Sequence, residues 1–283
     1  MFVPQGKNVK VEDLIRGVII QSGNDATIVL AEGLASSEDA FAKKMTEKAL
    51  EIGMENSNFM NASGWPDPNH YSTAEDLALL AKRMIEDFPE HYKYYSEKEF
   101  TYSNIKQQNR NPLLYRNIGA DGLKTGHTEV GGYGLIGTAK RDGRRVIMVV
   151  NGLESEKDRA NESVRLIEWA LNGFVNLNLL REGQKLSQAP VVLGQQETVT
   201  LMASNNVKMT LPKVSKDKFT VDLKYKIPLV APIKSGDEVG TIVVNVAGME
   251  PTSYPLLAGE DVQKIGFFKE TWSKAKRFLT NSL

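Results

Sequence analysis

The texture of the chain changes after about Leu177. Before it, apolar residues recur at helical spacing or gather in two long strand-like runs. After it come short Val- and Thr-rich runs at 191–193, 198–202, 207–211, 219–225 and 239–246, punctuated by Pro190, Pro212, Pro228, Pro232 and Gly236. Short runs of β-formers between turn residues specify strands that must bury one face against another layer. The change therefore divides the chain into an α+β part at 1–177, a small β-sandwich at 178–262 and a tail at 263–283. A length of 283 residues accommodates two modest domains.

In the first part, Leu14, Ile15 and Val18 form an apolar stripe on a helix over 11–20. Ser22-Gly23-Asn24-Asp25 breaks it, and further helices are expected at 25–34 and 37–52. Asn, Pro and Gly make 56–70 a loop. Ser72 and Glu75 stand at capping-box spacing ahead of a helix over 74–86. A short strand at 99–102 and a turn at 109–112 follow. Two long strands then meet at Asp142-Gly143, a pair suited to a tight hairpin. Residues 156–174, with Val164, Ile167, Trp169 and Leu171, form an amphipathic helix. This order specifies helices packed on an antiparallel sheet.

Composition narrows the chemistry. Thirty-five basic residues balance thirty-five acidic ones, so no global field selects nucleic acid as a partner. The absence of cysteine removes disulfides, thiol catalysis and Cys-ligated zinc. No paired His spacing suggests another metal site, and no cofactor motif stands in the right setting. Gly132 to Gly137 fits G-x-G-x-x-G but enters a hairpin strand, whereas dinucleotide binding needs that motif to open a helix. No apolar run approaches the roughly 20 residues that span a bilayer, and 1–8 do not read as a signal peptide.

Two short motifs remain. Ser22-Gly23-Asn24 closes the first apolar segment, and Lys124-Thr125-Gly126, followed by His127-Thr128, stands ahead of the long hairpin. Taken singly, the first is also a helix-breaking cap and the second a surface strand. Their order, their flanks at 17–26 and 121–128, the segment Gln108-Asn109-Arg110-Asn111 and the three-part architecture together resemble the low-molecular-mass penicillin-binding proteins that act as D-alanyl-D-alanine carboxypeptidases.

The resemblance implies a set of roles. Lys124 sets a positive potential that helps a serine proton leave, Ser22 relays a proton to the leaving amine, and Asn24 orients the substrate peptide. Thr125 binds the terminal carboxylate, Gly126 lets the substrate backbone approach, and the N–H of His127 serves the oxyanion. Arg110 adds charge for the carboxylate or braces a loop. His70 and His91 read as loop or surface residues. The implied partners are a peptidoglycan stem peptide and, as inhibitors, β-lactams. The implied place is the outer face of the cytoplasmic membrane.

One element of that family's pattern is missing. Its nucleophile lies in Ser-x-x-Lys, ahead of Ser-x-Asn, and the residues before Ser22 contain no such motif. The matches at Ser103, Ser215 and Ser273 lie after a strand, in the β domain and in the tail, not at the buried start of a helix. The expected fold is thus an incomplete serine DD-peptidase/β-lactamase-like domain, inactive as it stands, followed by a small all-β domain and a C-terminal amphipathic helix. A non-catalytic binding remnant and a β-lactamase are the alternatives. On the tail, 264–283, Phe268, Trp272, Ala275 and Leu279 share a helical face, with Lys269, Lys274, Lys276 and Arg277 largely on others. Such a helix suits an anionic membrane surface or docks on the β domain, and the resemblance favours the membrane.

Overall fold

The computed structural model describes residues 1–266. Residues 267–283, which carry most of the expected tail helix, lie outside them. The chain separates into two units, Met1–Gly173 and the part from Phe174 onward, a division just ahead of the texture change at Leu177.

The first unit opens with α1 (Val11–Gln21), α2 (Asn24–Ala35) and α3 (Glu38–Glu51). Glu12 and Asp13 lie in the first turn of α1, where carboxylates favour the helix dipole. The helix stops because Ser22 takes a left-handed conformation, φ 54°. Ser37 caps α3, its side chain accepting from the Ala40 N–H. In α4 (Ala74–Asp87) the cap is Thr73, which accepts from the Asp76 N–H, and not Ser72. The Ser72 hydroxyl is instead drawn to Ser57, 2.7 Å away, whose hydroxyl donates to the buried Asp76 carboxylate at 2.6 Å. The helix starts at Ala74 as expected, and only the capping residue differs. A short α5 (Pro89–Tyr92) leads to the hairpin of β1 (Glu99–Tyr102) and β2 (Ile105–Gln108).

Three long strands follow, β3 (Ala120–Thr128), β4 (Gly132–Arg141) and β5 (Arg144–Leu153), antiparallel in that order. Asp142 and Gly143 both have positive φ, as the two-residue turn between β4 and β5 demands. Alternation sends successive side chains to opposite faces. Leu135 and Ala139 meet Ile167 and Leu171 of α6 (Glu156–Gly173), while Ile136 meets Ala81 and Met84 of α4. The sheet is covered on both faces, and full burial of Ile167 alone contributes about 1.5–3 kcal/mol. Trp169, grouped by sequence with the apolar residues of this helix, stands more than half exposed on its outer side.

The second unit contains β6 (Phe174–Leu180), β7 (Lys185–Val192), β8 (Thr198–Ala203), β9 (Val207–Pro212), β10 (Phe219–Tyr225), β11 (Leu229–Val230), β12 (Glu238–Val246) and β13 (Thr252–Ala258). Six of them form one sheet in the order β10-β12-β13-β8-β7-β11, and β6 pairs with β9 in a ribbon. Leu177 and Leu211 of the ribbon pack against Val244 of the sheet, a two-layer arrangement. β6 and β13 were not legible in the sequence: β6 follows α6 without a break, and β13 carries Pro255 opposite Thr241 in a paired strand. Lys264 and Ile265, where the tail helix was expected to begin, are extended. Lys264 bridges Gly194, and the Ile265 N–H donates to the Leu193 carbonyl at 2.9 Å.

Candidate active site

Lys124 lies mid-strand on β3, where alternation turns it to the face opposite Thr125. Its ammonium donates to the Ser22 hydroxyl, from 102 residues away in sequence, and to the Thr125 carbonyl at 2.8 Å. The left-handed turn at Ser22 makes this contact possible, because it separates the hydroxyl from the helical rows of α1 and α2. Burial, aided by the positive charges of Arg110 and Arg159, pushes the Lys124 pKa from 10.5 down to about 8. A lysine so placed holds its proton loosely and can pass it along a hydrogen bond near neutral pH.

All seven residues named from the sequence line one cavity of about 740 Å³: Ser22, Asn24, Arg110, Lys124, Thr125, Gly126 and His127. Thr125 is buried, and its hydroxyl has no hydrogen bond among the described residues. A Cβ at Gly126 would meet nothing within 4 Å, so the missing side chain keeps open space beside the strand. Asn24 begins α2 with an exposed side chain. Arg110 is exposed and forms no ion pair among the described residues, so its charge is available to the cavity. Asp25 accepts from the Met1 ammonium at 3.0 Å and from the Val3 N–H at 2.8 Å, and Met1 and Phe2 line the cavity.

The cavity also contains residues that sequence reasoning passed over. Arg159, in the first turns of α6, is 5% exposed, yet its Nε has no partner. Its guanidinium stands 5.4 Å above the Tyr133 ring, which itself packs against the His127 ring at 4.0 Å. Burial holds the Arg159 pKa below the usual arginine range. Gln21, the last residue of α1, is 3% exposed, and neither end of its carboxamide is hydrogen-bonded. Buried polar groups normally have partners, so these two mark polar surface prepared for something other than the folded chain itself.

The other serines fall elsewhere. Ser103 and Asn104 form the left-handed turn between β1 and β2, and Lys106 is paired with Glu99 at 2.7 Å. Ser215 sits in a single 3-10 turn of the second unit, and Ser273 is outside the described residues. Gly132 to Gly137 runs along β4 and opens no helix. Away from the cleft, His70 accepts from the Met60 N–H, and burial lowers its pKa. His91 stacks on Tyr94. Among the described residues no cluster of His, Asp and Glu could hold a metal ion, and no helix is long and apolar enough to cross a membrane.

Comparison with known proteins shows the family of the chain. Residues 1–155 match the family model for D-alanyl-D-alanine carboxypeptidase, and residues 174–264 match the model for the penicillin-binding protein 5 C-terminal domain. The chain is 38% identical to the D-alanyl-D-alanine carboxypeptidase DacA of Haemophilus influenzae, over 96% of this chain and 70% of that protein. It is also 38% identical to DacC of Escherichia coli, over 96% of this chain and 68% of the relative. The crystal structure of penicillin-binding protein 5 from H. influenzae superposes with a TM-score of 0.79 at 37% identity, covering 93% of this chain and 78% of that one.

Proposed function

The chain belongs to the D-alanyl-D-alanine carboxypeptidase family, and we propose that its cleft receives the carboxyl end of a peptidoglycan stem peptide for removal of the terminal D-alanine. The observation that carries this reading is the hydrogen bond from Lys124 to Ser22 in a cavity also lined by Thr125, Gly126 and His127.

In the reaction, a serine oxygen bonds to the carbonyl carbon between the two D-alanines. The C–N bond then breaks, and the departing amine takes up a proton. Thr125 donates its free hydroxyl to the substrate carboxylate, in the field of Arg110 and Arg159. The backbone N–H of His127 donates to the developing oxyanion, an interaction of about 2.7–4 kcal/mol in the transition state. Ser22 hands its proton to the leaving amine and is reprotonated from Lys124, whose lowered pKa suits that exchange and which is restored by the proton that the attacking serine gives up. Asn24 orients the substrate peptide from the start of α2. Water then cleaves the acyl ester.

The nucleophile itself requires a serine one helical turn before a lysine, at the buried start of a helix beside Lys124. Residues 1–283 contain none in that setting, so this polypeptide alone binds without turnover. The same chemistry makes β-lactams the expected inhibitors of the completed site. It also sets the place of work where peptidoglycan is found, outside the cytoplasmic membrane, with residues 264–283 attaching the protein to its surface.

Calorimetric titration with diacetyl-Lys-D-Ala-D-Ala and with the same peptide ending in a carboxamide tests the assignment. The acid should bind and the amide should bind at least tenfold more weakly, and Thr125→Val should erase the difference. Equal binding of acid and amide by the unaltered protein would remove the carboxylate from the role given to this strand.

A further inference from the structure

Strand β3 pairs with β4 through one irregularity. Ala120 lies opposite Ala139 and Gly122 opposite Thr138, so Asp121 is an extra residue, a β-bulge. Side chains alternate along a strand, so this one residue decides which face each later residue occupies. Leu123 and Thr125 fall on one face and Lys124 on the other because Asp121 is there. With the bulge gone, Lys124 and Thr125 would exchange faces, and Lys124 would lose Ser22.

The bulge is pinned by side chains from three other elements. The Asp121 carboxylate reaches past β4 to Arg145 on β5, whose Nη1 and Nη2 donate to Oδ1 and Oδ2, each at 2.7 Å. Such a fork fixes orientation as well as distance. The Tyr92 hydroxyl, at the end of α5, donates to Oδ1 at 3.0 Å. Burial and the neighbouring Asp121 charge push the Tyr92 pKa up, so the hydroxyl stays protonated and donating. Arg145 Nη1 also donates at 2.9 Å to the hydroxyl of Thr138, the fully buried residue opposite Gly122. A Cβ at Gly122 would stand 2.5 Å from the Tyr92 hydroxyl oxygen, so glycine there lets the ring close on the strand. None of these residues lines the main cleft.

We propose that Asp121, Arg145 and Tyr92 are positioning residues: they hold the bulge, and through it the register that points Lys124 at Ser22 and Thr125 at the substrate carboxylate. The proposal rests on the roles given above to Lys124 and Thr125. Stability alone does not account for the arrangement. The Asp121 and Arg145 side chains are 32% and 24% exposed, and a pair so placed contributes little beside well-packed apolar residues. What three donor groups on one carboxylate do supply is a single geometry for the extra residue.

The test uses the full chain and matched variants. Arg145→Lys keeps the charge and loses the fork, Asp121→Asn keeps the shape and loses the charge, and Tyr92→Phe loses only the hydroxyl. Glu168→Gln is the control. It weakens the Arg141–Glu168 fork between β4 and α6, at 2.6 and 3.1 Å and of similar exposure. Calorimetry reads the affinity of diacetyl-Lys-D-Ala-D-Ala relative to its carboxamide. NMR of protein labelled with 13C at the lysine ε carbons, assigned with Lys124→Met, reads the Lys124 titration. In Arg145→Lys and Asp121→Asn the preference for the acid should fall about tenfold, the worth of one charge-assisted hydrogen bond. The Lys124 midpoint should rise from about 8 toward 10.5. Tyr92→Phe should move both in the same direction by less, and Glu168→Gln should move neither. Parent values in the first three variants, or equal shifts in Glu168→Gln, would overturn the proposal. If Arg145→Lys and Asp121→Asn do not fold, Tyr92→Phe against Glu168→Gln decides. A parent that binds acid and amide equally would remove Thr125 from the carboxylate, and the Lys124 titration would still decide the role of the bulge.

Discussion

Replacing Lys124 by Met should make the protein more stable at neutral pH and less stable at alkaline pH. The lysine loses its proton near pH 8 when folded, against an ordinary value of 10.5. The unfolded chain therefore binds more protons than the folded one between those values, and stability must rise with pH across that window. Below pH 8 the penalty for holding the charge is fully present; above pH 10.5 it is gone. At about 1.36 kcal/mol per pH unit, it amounts to about 3 kcal/mol at pH 7, of which about 2.5 kcal/mol is relieved by pH 10. Methionine keeps the length of the chain and removes the charge. It also removes the hydrogen bonds to Ser22 and the Thr125 carbonyl, each contributing about 1 kcal/mol. The variant should thus be about 1 kcal/mol more stable than the parent at pH 7 and about 1 kcal/mol less stable at pH 10. Urea unfolding reports this when Trp272 is replaced by Phe in both proteins, leaving Trp65 and Trp169 as probes, both in the first unit. A stability difference that stays constant from pH 7 to pH 10 would mean that Lys124 titrates as an ordinary lysine, and the proton relay through Ser22 would lose its physical basis.

Asp76→Ala should cost about 3 kcal/mol, because the Asn56 N–H at 2.9 Å and the Ser57 hydroxyl at 2.6 Å lose their acceptor inside the protein; an unchanged urea midpoint would contradict this. Incubation with benzylpenicillin should leave the intact mass of residues 1–283 unchanged, and an adduct on Ser22, Ser103 or any other serine would contradict the statement that the nucleophile is not among them. Vesicles containing anionic lipid should sediment the full chain more than a chain ending at Val262, with the excess falling as salt rises. Equal sedimentation of the two chains would count against attachment through residues 264–283.

Much of the fold was legible because its elements follow one dominant signal each. α1, α4 and α6 carry apolar stripes at helical spacing, and β4 and β5 are long strand-like runs joined by Asp142-Gly143. The errors arose where two signals compete. Ser72 and Glu75 have the spacing of a cap, but Ser72 is engaged with Ser57, so Thr73 takes over. Pro255 argues against a paired strand, yet β13 pairs with both β12 and β8, with Leu256 and Ala258 fully buried. In the first case a buried hydrogen-bond network outweighs a local preference. In the second, burial of apolar side chains does so.

The site was legible only where a motif named it. Ser22 and Lys124 are far apart in sequence and could be joined only by recognising both motifs. Arg159 and Gln21 belong to no motif, yet the sequence held a physical signal for them. In α6 the residues facing inward are Arg159, Ser163, Ile167 and Leu171, each four positions after the last. In α1, Gln21 continues the inward face of Leu14 and Gly17. A polar residue on an apolar stripe either finds a partner or costs about 1–3 kcal/mol. Here Gln21, Arg159 and Ser163 all keep polar atoms without partners. Folding alone gives no reason to place them there, since an aliphatic residue on either stripe would be more stable. Two of the three line the cavity that holds Lys124. Polar interruptions of an inward-facing stripe are therefore where such a helix departs from the demands of packing, and such departures concentrate where a protein meets its ligand.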